Sequence, residues 1–398
     1  MSKKQLLLFG LALMLIFGNG GGLATMVPVH LSRLGVEPAR IGFLFSCLYF
    51  GIASSGILAG WLADRLQRYK LMCVLSAAGE IVTSLLMLWA NSFLALAVAL
   101  FLAWFLAGMH AALVSAMVGQ QARENERGRV FGVIGFITGL GTVLSGFLYG
   151  RIVDGCGFGT LLVLNLGISV LWTILSLFYQ EPAELPRMRK ADNRPGKPVL
   201  KGSFFLVVIA AILGWVAING GKLGITLVMT GFNFTAGDVS LTTGIASLAA
   251  LVMPLFLGWL SDQIGRKPLL LTLNLLGLGG LLLISQNPGL TGFCAASALL
   301  SLYGCFGGLS NALAADLAPR ESLGFALALI NSSAHVAGIF SSMLLGLGIH
   351  ALGSKIPFLI AMLLPLAAAI LISVVAEKKP AISGLIGPQP AEISSSGG

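Results

Sequence analysis

The sequence predicts an all-α polytopic membrane protein whose twelve transmembrane helices form two pseudo-symmetric six-helix bundles. Three observations predict it. Of its 398 residues 57% are apolar and 10% charged, and a mean hydropathy of +0.94 does not describe a water-exposed surface. Apolar stretches of about 20 residues or more recur along the chain, each long enough at 1.5 Å per residue to cross a hydrocarbon core of about 30 Å. Two strings also repeat roughly 200 residues apart: "NGGGL" at 19–23 with "NGGKL" at 219–223, and "GWLADRLQRYK" at 60–70 with "GWLSDQIGRKP" at 258–268.

The first span is placed at 6–31. Lys3 and Lys4 ahead of "LLLFGLALMLIF" imitate a secretory leader, and "GLAT" a cleavage site, but the apolar run continues and eleven more spans follow, so it is read as an uncleaved helix. Spans 2 to 6 follow at 38–63, 70–90, 93–118, 130–154 and 158–179. The segment "QEPAELPRMRKADNRPGKPVLKG" at 180–202 is rich in proline and charge, which can neither cross lipid nor build a core, and it divides the halves. Spans 7 to 12 are placed at 203–230, 239–261, 268–287, 289–315, 325–352 and 356–376. The expected domains are therefore bundles at 1–179 and 203–379, a cytoplasmic linker at 180–202 and a disordered cytoplasmic tail at 380–398.

With the amino terminus inside, all but five of the 24 Lys and Arg residues fall in cytoplasmic segments, the exceptions being Arg33, Arg40, Arg151, Lys222 and Lys355. That asymmetry predicts an integral protein of the cell (inner) membrane with both termini cytoplasmic. It also accounts for the net charge of +9 as contact with anionic lipid headgroups, not nucleic acid. Cys47, Cys73, Cys156, Cys294 and Cys305 are odd in number, lack metal-ligand spacing and read as small core hydrophobes, Cys156 alone falling in an outer loop. No metal, cofactor or second copy of the chain is called for, and a monomer is expected.

The repeated element between spans 2 and 3, a Gly, then Leu, Asp and a basic cluster, resembles the signature of the major facilitator superfamily of transporters, and it occurs at equivalent positions of both halves. The resemblance covers roughly residues 1–379. Gly60 and Gly258 would let neighbouring backbones approach closely at the inner ends of spans 2 and 8. Asp64 and Asp262 would supply acceptors; in the family these face the amino-terminal ends of helices 11 and 5, here near Ser322 and Arg127. Such contacts would hold an inner gate shut and break as the halves rock. Arg65, Arg68, Lys70, Arg266 and Lys267 would bridge to the acids or to lipid phosphates, or stand simply as a solvated basic loop. Gln67 departs from the family pattern, which has glycine there, so that turn is expected to differ.

The resemblance implies a cavity lined mainly by spans 1, 4, 7 and 10, with 3, 6, 9 and 12 outermost. It selects Asn19, His30, Trp104, His110, Trp215, Asn219, Lys222, Tyr303, Ser310 and Asn311 as substrate-facing candidates. The aromatic residues have an alternative as packing between helices, and the asparagines as hydrogen bonds across them. His110, in an almost wholly apolar stretch, is a candidate for substrate contact and for proton coupling, or for a fixed hydrogen bond. His335 is a further proton-coupling candidate, or a satisfied structural histidine, and His30 and His350 read as interfacial. Glu80 falls near the bilayer middle, where an unpaired carboxylate costs roughly 2.5–3.5 kcal/mol or more, so it is either protonated or paired. It is a coupling candidate, although span 3 is expected to be peripheral. Lys222 would attract an anionic group, or snorkel toward headgroups, or pair with Asp238.

The glycine-rich fifth span resembles the antiporter motif of drug and proton exchangers but lacks its Gly-Pro pair, leaning toward export as strongly as toward plain close packing. The expected function is secondary active transport of a small organic or amphipathic solute, anionic in one reading, coupled to protons by alternating access. The alternatives are an uncoupled facilitator, a proton symporter for uptake, or a sensor or scaffold on a transporter fold. Metal clusters, nucleophile elbows and phosphate loops are absent from any credible context, so no enzyme is expected.

Overall fold

The computed structural model describes residues 2–123, 126–181, 202–319 and 322–375. The linker at 182–201 and the tail at 376–398 lie outside them, as do the side chains of Asp64, Arg127 and Asp262. Among the described residues there is no strand. The helices are α1 (Lys3–Arg33), α2 (Pro38–Leu66), α3 (Tyr69–Leu88), α4 (Phe93–Gln121), α5 (Arg127–Leu177), α6 (Gly202–Gly231) and α7 (Ala236–Ile264). They continue as α8 (Arg266–Ser285), α9 (Leu290–Gly304), α10 (Phe306–Leu317), α11 (Leu323–Leu352), α12 (Ile356–Ala361) and α13 (Leu363–Val374).

Local chemistry sets the ends. Ser2 caps α1 by accepting the Gln5 N–H at 3.2 Å, Ser92 caps α4 through Ala95 at 3.2 Å, and Pro38 opens α2 where a missing N–H costs nothing. The 51 residues of α5 would stretch about 75 Å if straight, more than twice the hydrocarbon thickness. Gly157, at φ 83° and ψ 165°, folds it into two limbs, a conformation that side-chain-bearing residues avoid. Eleven segments are long and apolar enough to cross a membrane, and α5 crosses once with each limb, so the twelve expected spans are present. Two are interrupted. The tenth breaks at Cys305 into α9 and α10, and the twelfth at Met362, where Pro365 offers no N–H to the Ala361 carbonyl.

Helices α1–α5 form one bundle and α6–α13 the other, joined chiefly by two crossing pairs, α2 with α11 and the first limb of α5 with α7. Glycines make both crossings. A Cβ on Gly42 would lie 2.8 Å from the Gly346 Cα, and one on Gly146 2.6 Å from the Gly244 Cα. The Ser240 hydroxyl inserts between the Gly146 carbonyl, to which it donates at 2.5 Å, and the Gly150 N–H, from which it accepts at 3.0 Å. At their other ends the same helices splay. Gly56 and Gly60 of α2, Gly132 and Gly135 of α5 and Gly258 of α7 meet nothing within 4 Å, and Trp61, Phe131 and Phe256 are exposed. The molecule is therefore closed at the face where α1 gives way to α2 and open at the face of the repeated basic turns. The close approach expected at Gly60 and Gly258 is not made in this conformation.

Candidate functional site

Between the bundles lies a cavity of about 660 Å³. Its wall is mainly apolar, with polar groups from both halves: Asn19 of α1, Glu80 of α3 and Asn165 of the second limb of α5 on one side, and Asn331, Ser332 and His335 of α11 on the other. Trp104 lines it as expected.

Asn19, the first residue of "NGGGL", is tied into a hydrogen-bonded chain. Its Nδ2 donates to Asn165 Oδ1 at 2.5 Å, and its Oδ1 accepts the Tyr149 hydroxyl at 2.9 Å. Asn165 Nδ2 donates in turn to Ser84 Oγ at 2.8 Å, which lies 3.0 Å from Ser169 Oγ. Four helical segments are thereby cross-linked at the cavity wall. The sequence holds the signal, single polar residues in apolar spans, but Tyr149, Asn165 and Ser84 were missed because nothing local says which of them meet.

Glu80 corrects the expectation that span 3 stands apart from the cavity. Small residues on the intervening helices, Gly20 and Gly21 on α1 and Ala103, Ala107 and Gly108 on α4, thin the wall and let α3 contribute. The carboxyl is 5% exposed, accepts the Thr83 hydroxyl at 3.1 Å and has no cationic partner among the described residues. His335 also lines the cavity, its ring hydrogen-bonded to the Asn331 backbone one turn earlier.

His110 goes the other way. It is fully buried behind α4 and does not line the cavity. Trp172 Nε1 donates to its Nε2 at 3.0 Å, so Nε2 must be an unprotonated acceptor and Nδ1 must carry the hydrogen, which the Cys73 carbonyl receives at 3.0 Å. Ser76 Oγ at 3.0 Å and the Tyr179 hydroxyl at 3.4 Å complete the shell. Every position around the ring is occupied, and a second proton would have to displace the tryptophan.

In the other bundle Tyr303 is fully buried and donates to Asn274 Oδ1 at 2.8 Å, Trp215 packs on Gly307, and Ser310 is buried. None of the three lines the cavity. Asn219 Nδ2 donates to the Ala334 carbonyl at 3.2 Å, docking α6 against α11 beside His335. Asn311 Nδ2 donates to the cavity residue Asn331 at 3.0 Å, while its own Oδ1 has no partner among the described residues. His30 stacks on Phe158 with ring centroids 4.0 Å apart, at the closed face.

Lys222 is exposed, stands within electrostatic reach of Cys305 at the α9–α10 break and does not line the 660 Å³ cavity. Asp238 is not its partner: that carboxylate is engaged in the capping box of α7, accepting the Thr235 N–H at 3.1 Å. Among the described residues Lys222 has no ion pair. Its counterpart Gly22 could not carry a side chain, because a Cβ there would overlap the Tyr149 ring.

The repeated basic turns differ at Gln67, as expected: Gln67 is left-handed at φ 52° and ψ 32°, at a cost of roughly 1 kcal/mol, whereas Gly265 stands at φ 92° and ψ 163°. Two residues separate α2 from α3 and one separates α7 from α8. Arg65 lies over the Trp61 ring at 5.3 Å. Arg68 and Lys70 flank a surface recess in which Glu181 accepts the Lys70 N–H at 2.9 Å. Arg266 pairs with Asp316 and donates to the Ala312 carbonyl at 2.6 Å. Lys267 donates to the Ser373 and Val375 carbonyls at 2.6 and 2.9 Å, capping α13. The side chains of Asp64 and Asp262 lie outside the described residues.

Two bundles enclosing one polar-centred cavity, shut at one face and open at the other, define a membrane protein that passes a solute. The sequence profile of the Major Facilitator Superfamily matches residues 9–232 and 204–395, and the chain belongs to that family of transporters; it is not an enzyme. It is 24% identical over 374 residues to a probable sulfoacetate transporter, SauU, of Cupriavidus necator, covering 85% of each chain. The fold is shared with a mutant of the nucleoside transporter NupG, at a TM-score of 0.77 and 13% identity over 94% of this chain and 100% of that one. It is shared also with a POT family transporter in complex with 5-aminolevulinic acid, at a TM-score of 0.74 and 15% identity over 93% and 95% of the two chains.

Proposed function

We propose that the protein carries a small organic anion across the cell membrane by alternating access, coupled to protons, with Lys222 as the contact for the anionic group and Glu80 as the coupling carboxyl. The observation that carries the reading is Lys222: an ammonium within the apolar, membrane-length helix α6 and without a carboxylate partner among the described residues attracts a negative charge. The relative's name supports the same chemistry, since sulfoacetate bears a carboxylate and a sulfonate. Glu80 suits coupling because it stands at the cavity edge without a cation, where a carboxyl can hold a proton on one side and lose it on the other.

The charge asymmetry of the sequence supports cytoplasmic termini, and with that orientation the open face is the inward one. The α5 glycines are used for close packing: Gly141 packs on the Met14 backbone of α1, and Gly146 and Gly150 on α7. Symport and antiport would use the same carboxyl and differ in the sign of the accompanying proton movement.

The test is counterflow of labelled sulfoacetate into vesicles holding the full chain, with sugars, organic acids, alkyl sulfonates and cationic drugs as competitors. Competition by carboxylates and sulfonates, loss of exchange in Lys222→Ala and partial retention in Lys222→Arg are expected. Competition by neutral or cationic solutes alone, with Lys222→Ala unaffected, would refute the reading.

A further inference from the structure

We propose that Asp154 is a gating residue of the transport cycle, a latch that holds the closed face shut by capping a helix of the opposite half. Asp154 ends the first limb of α5, on the stripe of that helix already occupied by Gly146 and Gly150 at the crossing with α7. Its Oδ1 accepts the Ala236 N–H at 3.0 Å and its Oδ2 the Gly237 N–H at 2.6 Å. These are the first two residues of α7, whose amides have no partner within the helix and lie at its positive end. The cap of α7 is thus shared. Thr235 of its own half takes the Asp238 N–H at 3.0 Å, and the two amides it leaves are taken from across the interface.

Arg33, at the end of α1 in the same half as Asp154, donates to Oδ1 at 3.3 Å. It stays with Asp154 whichever way the halves rock, so it orients the carboxylate and is a positioning residue. The two amide bonds are different in kind: they exist only while α5 and α7 are together. Gly237 admits the contact, since a Cβ there would stand 3.0 Å from Oδ2.

The pseudo-symmetric crossing has no such device. Counting from Gly146 and Gly150 onto Ser342 and Gly346 of α11, the position of Asp154 is held by His350, and the facing helix α2 starts with Pro38, which has no N–H to offer. The closed face is latched on one side only.

The inference rests on alternating access but not on the choice of solute, so it is tested without one. Spin labels at Leu34 and Phe232, exposed positions of the two halves beyond α1 and α6, report the distance across the closed face in the full chain in lipid nanodiscs. Asp154→Ala should lower the ratio of closed to open populations roughly tenfold, Asp154→Asn by less, and Arg33→Gln by less again. Gly237→Pro deletes one of the two amides from the other side, in the first helical turn where proline is tolerated, and should shift the ratio in the same direction even if Asp154→Ala does not fold. An unchanged distance distribution in either variant, with the melting temperature retained, overturns the proposal. A changed solute preference with the latch intact would bear on Lys222 and leave Asp154 where it is.

Discussion

Replacing Gly146 by alanine should push the molecule out of the conformation described above, and the sign of that effect is what tests the geometry. The added Cβ would stand 2.6 Å from the Gly244 Cα, 2.7 Å from its N and 3.1 Å from the Thr243 carbonyl carbon. These are all backbone atoms, which cannot rotate away as a side chain would, so α5 and α7 must separate. Overpacking of this kind costs about 1–3 kcal/mol, and at 1.4 kcal/mol per decade that lowers the closed-to-open ratio of this face by roughly 5- to 150-fold. The gain in helix propensity from glycine to alanine, up to about 1 kcal/mol, applies to both conformations and cancels in the ratio. Gly132, on the same helix, meets nothing within 4 Å here. If the splayed ends close in the alternate conformation, Gly132→Ala should shift the ratio the opposite way. The label pair at Leu34 and Phe232 reads both variants. Shifts of the same sign, or none in Gly146→Ala, would refute the rocking of two rigid halves about these crossings.

Glu80→Gln should abolish accumulation driven by a proton gradient while sparing solute counterflow, and undiminished gradient-driven accumulation in vesicles would remove Glu80 from coupling. His110→Phe strands the Trp172 N–H, at about 1–3 kcal/mol for a buried group left unsatisfied, while Ser76 keeps its bond to the Cys73 carbonyl. It should lower the melting temperature by several degrees while folded protein still transports; transport lost at an unchanged melting temperature would return His110 to the pathway.

The spans were legible because lipid imposes one solution on every apolar stretch: a helix long enough to cross, with its ends set by caps, prolines and glycines. What the sequence did not reveal was direction within the bundle. His110 and His335 sit at similar depths in similarly apolar surroundings, yet one is enclosed behind α4 and the other faces the cavity. In a water-soluble protein the polar face of a helix would have told them apart. In lipid both the outward and the inward faces are apolar, and the period that points a side chain is lost. Ranking by helix order failed at Glu80 for a related reason. The wall between α3 and the cavity is thin only because α1 and α4 present glycine and alanine there, and the stripe of Ala103, Ala107 and Ala111 reads in sequence as packing and not as a window.

Duplication explains the crossings, since both halves close the same face with glycine on glycine. It does not explain the centre, where the halves have been built to do different things. In the first half Tyr149 fills the space beside Gly22 and its hydroxyl binds Asn19 into a neutral network that has no room for a charge. By the offset that relates Gly150 to Gly346, the position of Tyr149 in the second half is Leu345, which packs toward Gly224 and brings no aromatic ring. The halves therefore differ by two substitutions and not one: a cation at position 222 and a leucine in place of the tyrosine at position 345. Under the proposed reading, a solute whose charge is drawn to one half alone is held in a fixed orientation as the halves rock, and its other end meets the uncharged groups of α1 and the single carboxyl of α3. A symmetric pair of lysines would hold an anion from both sides and release it from neither. The asymmetry lets one contact be made and broken within a single bundle, while the crossings move.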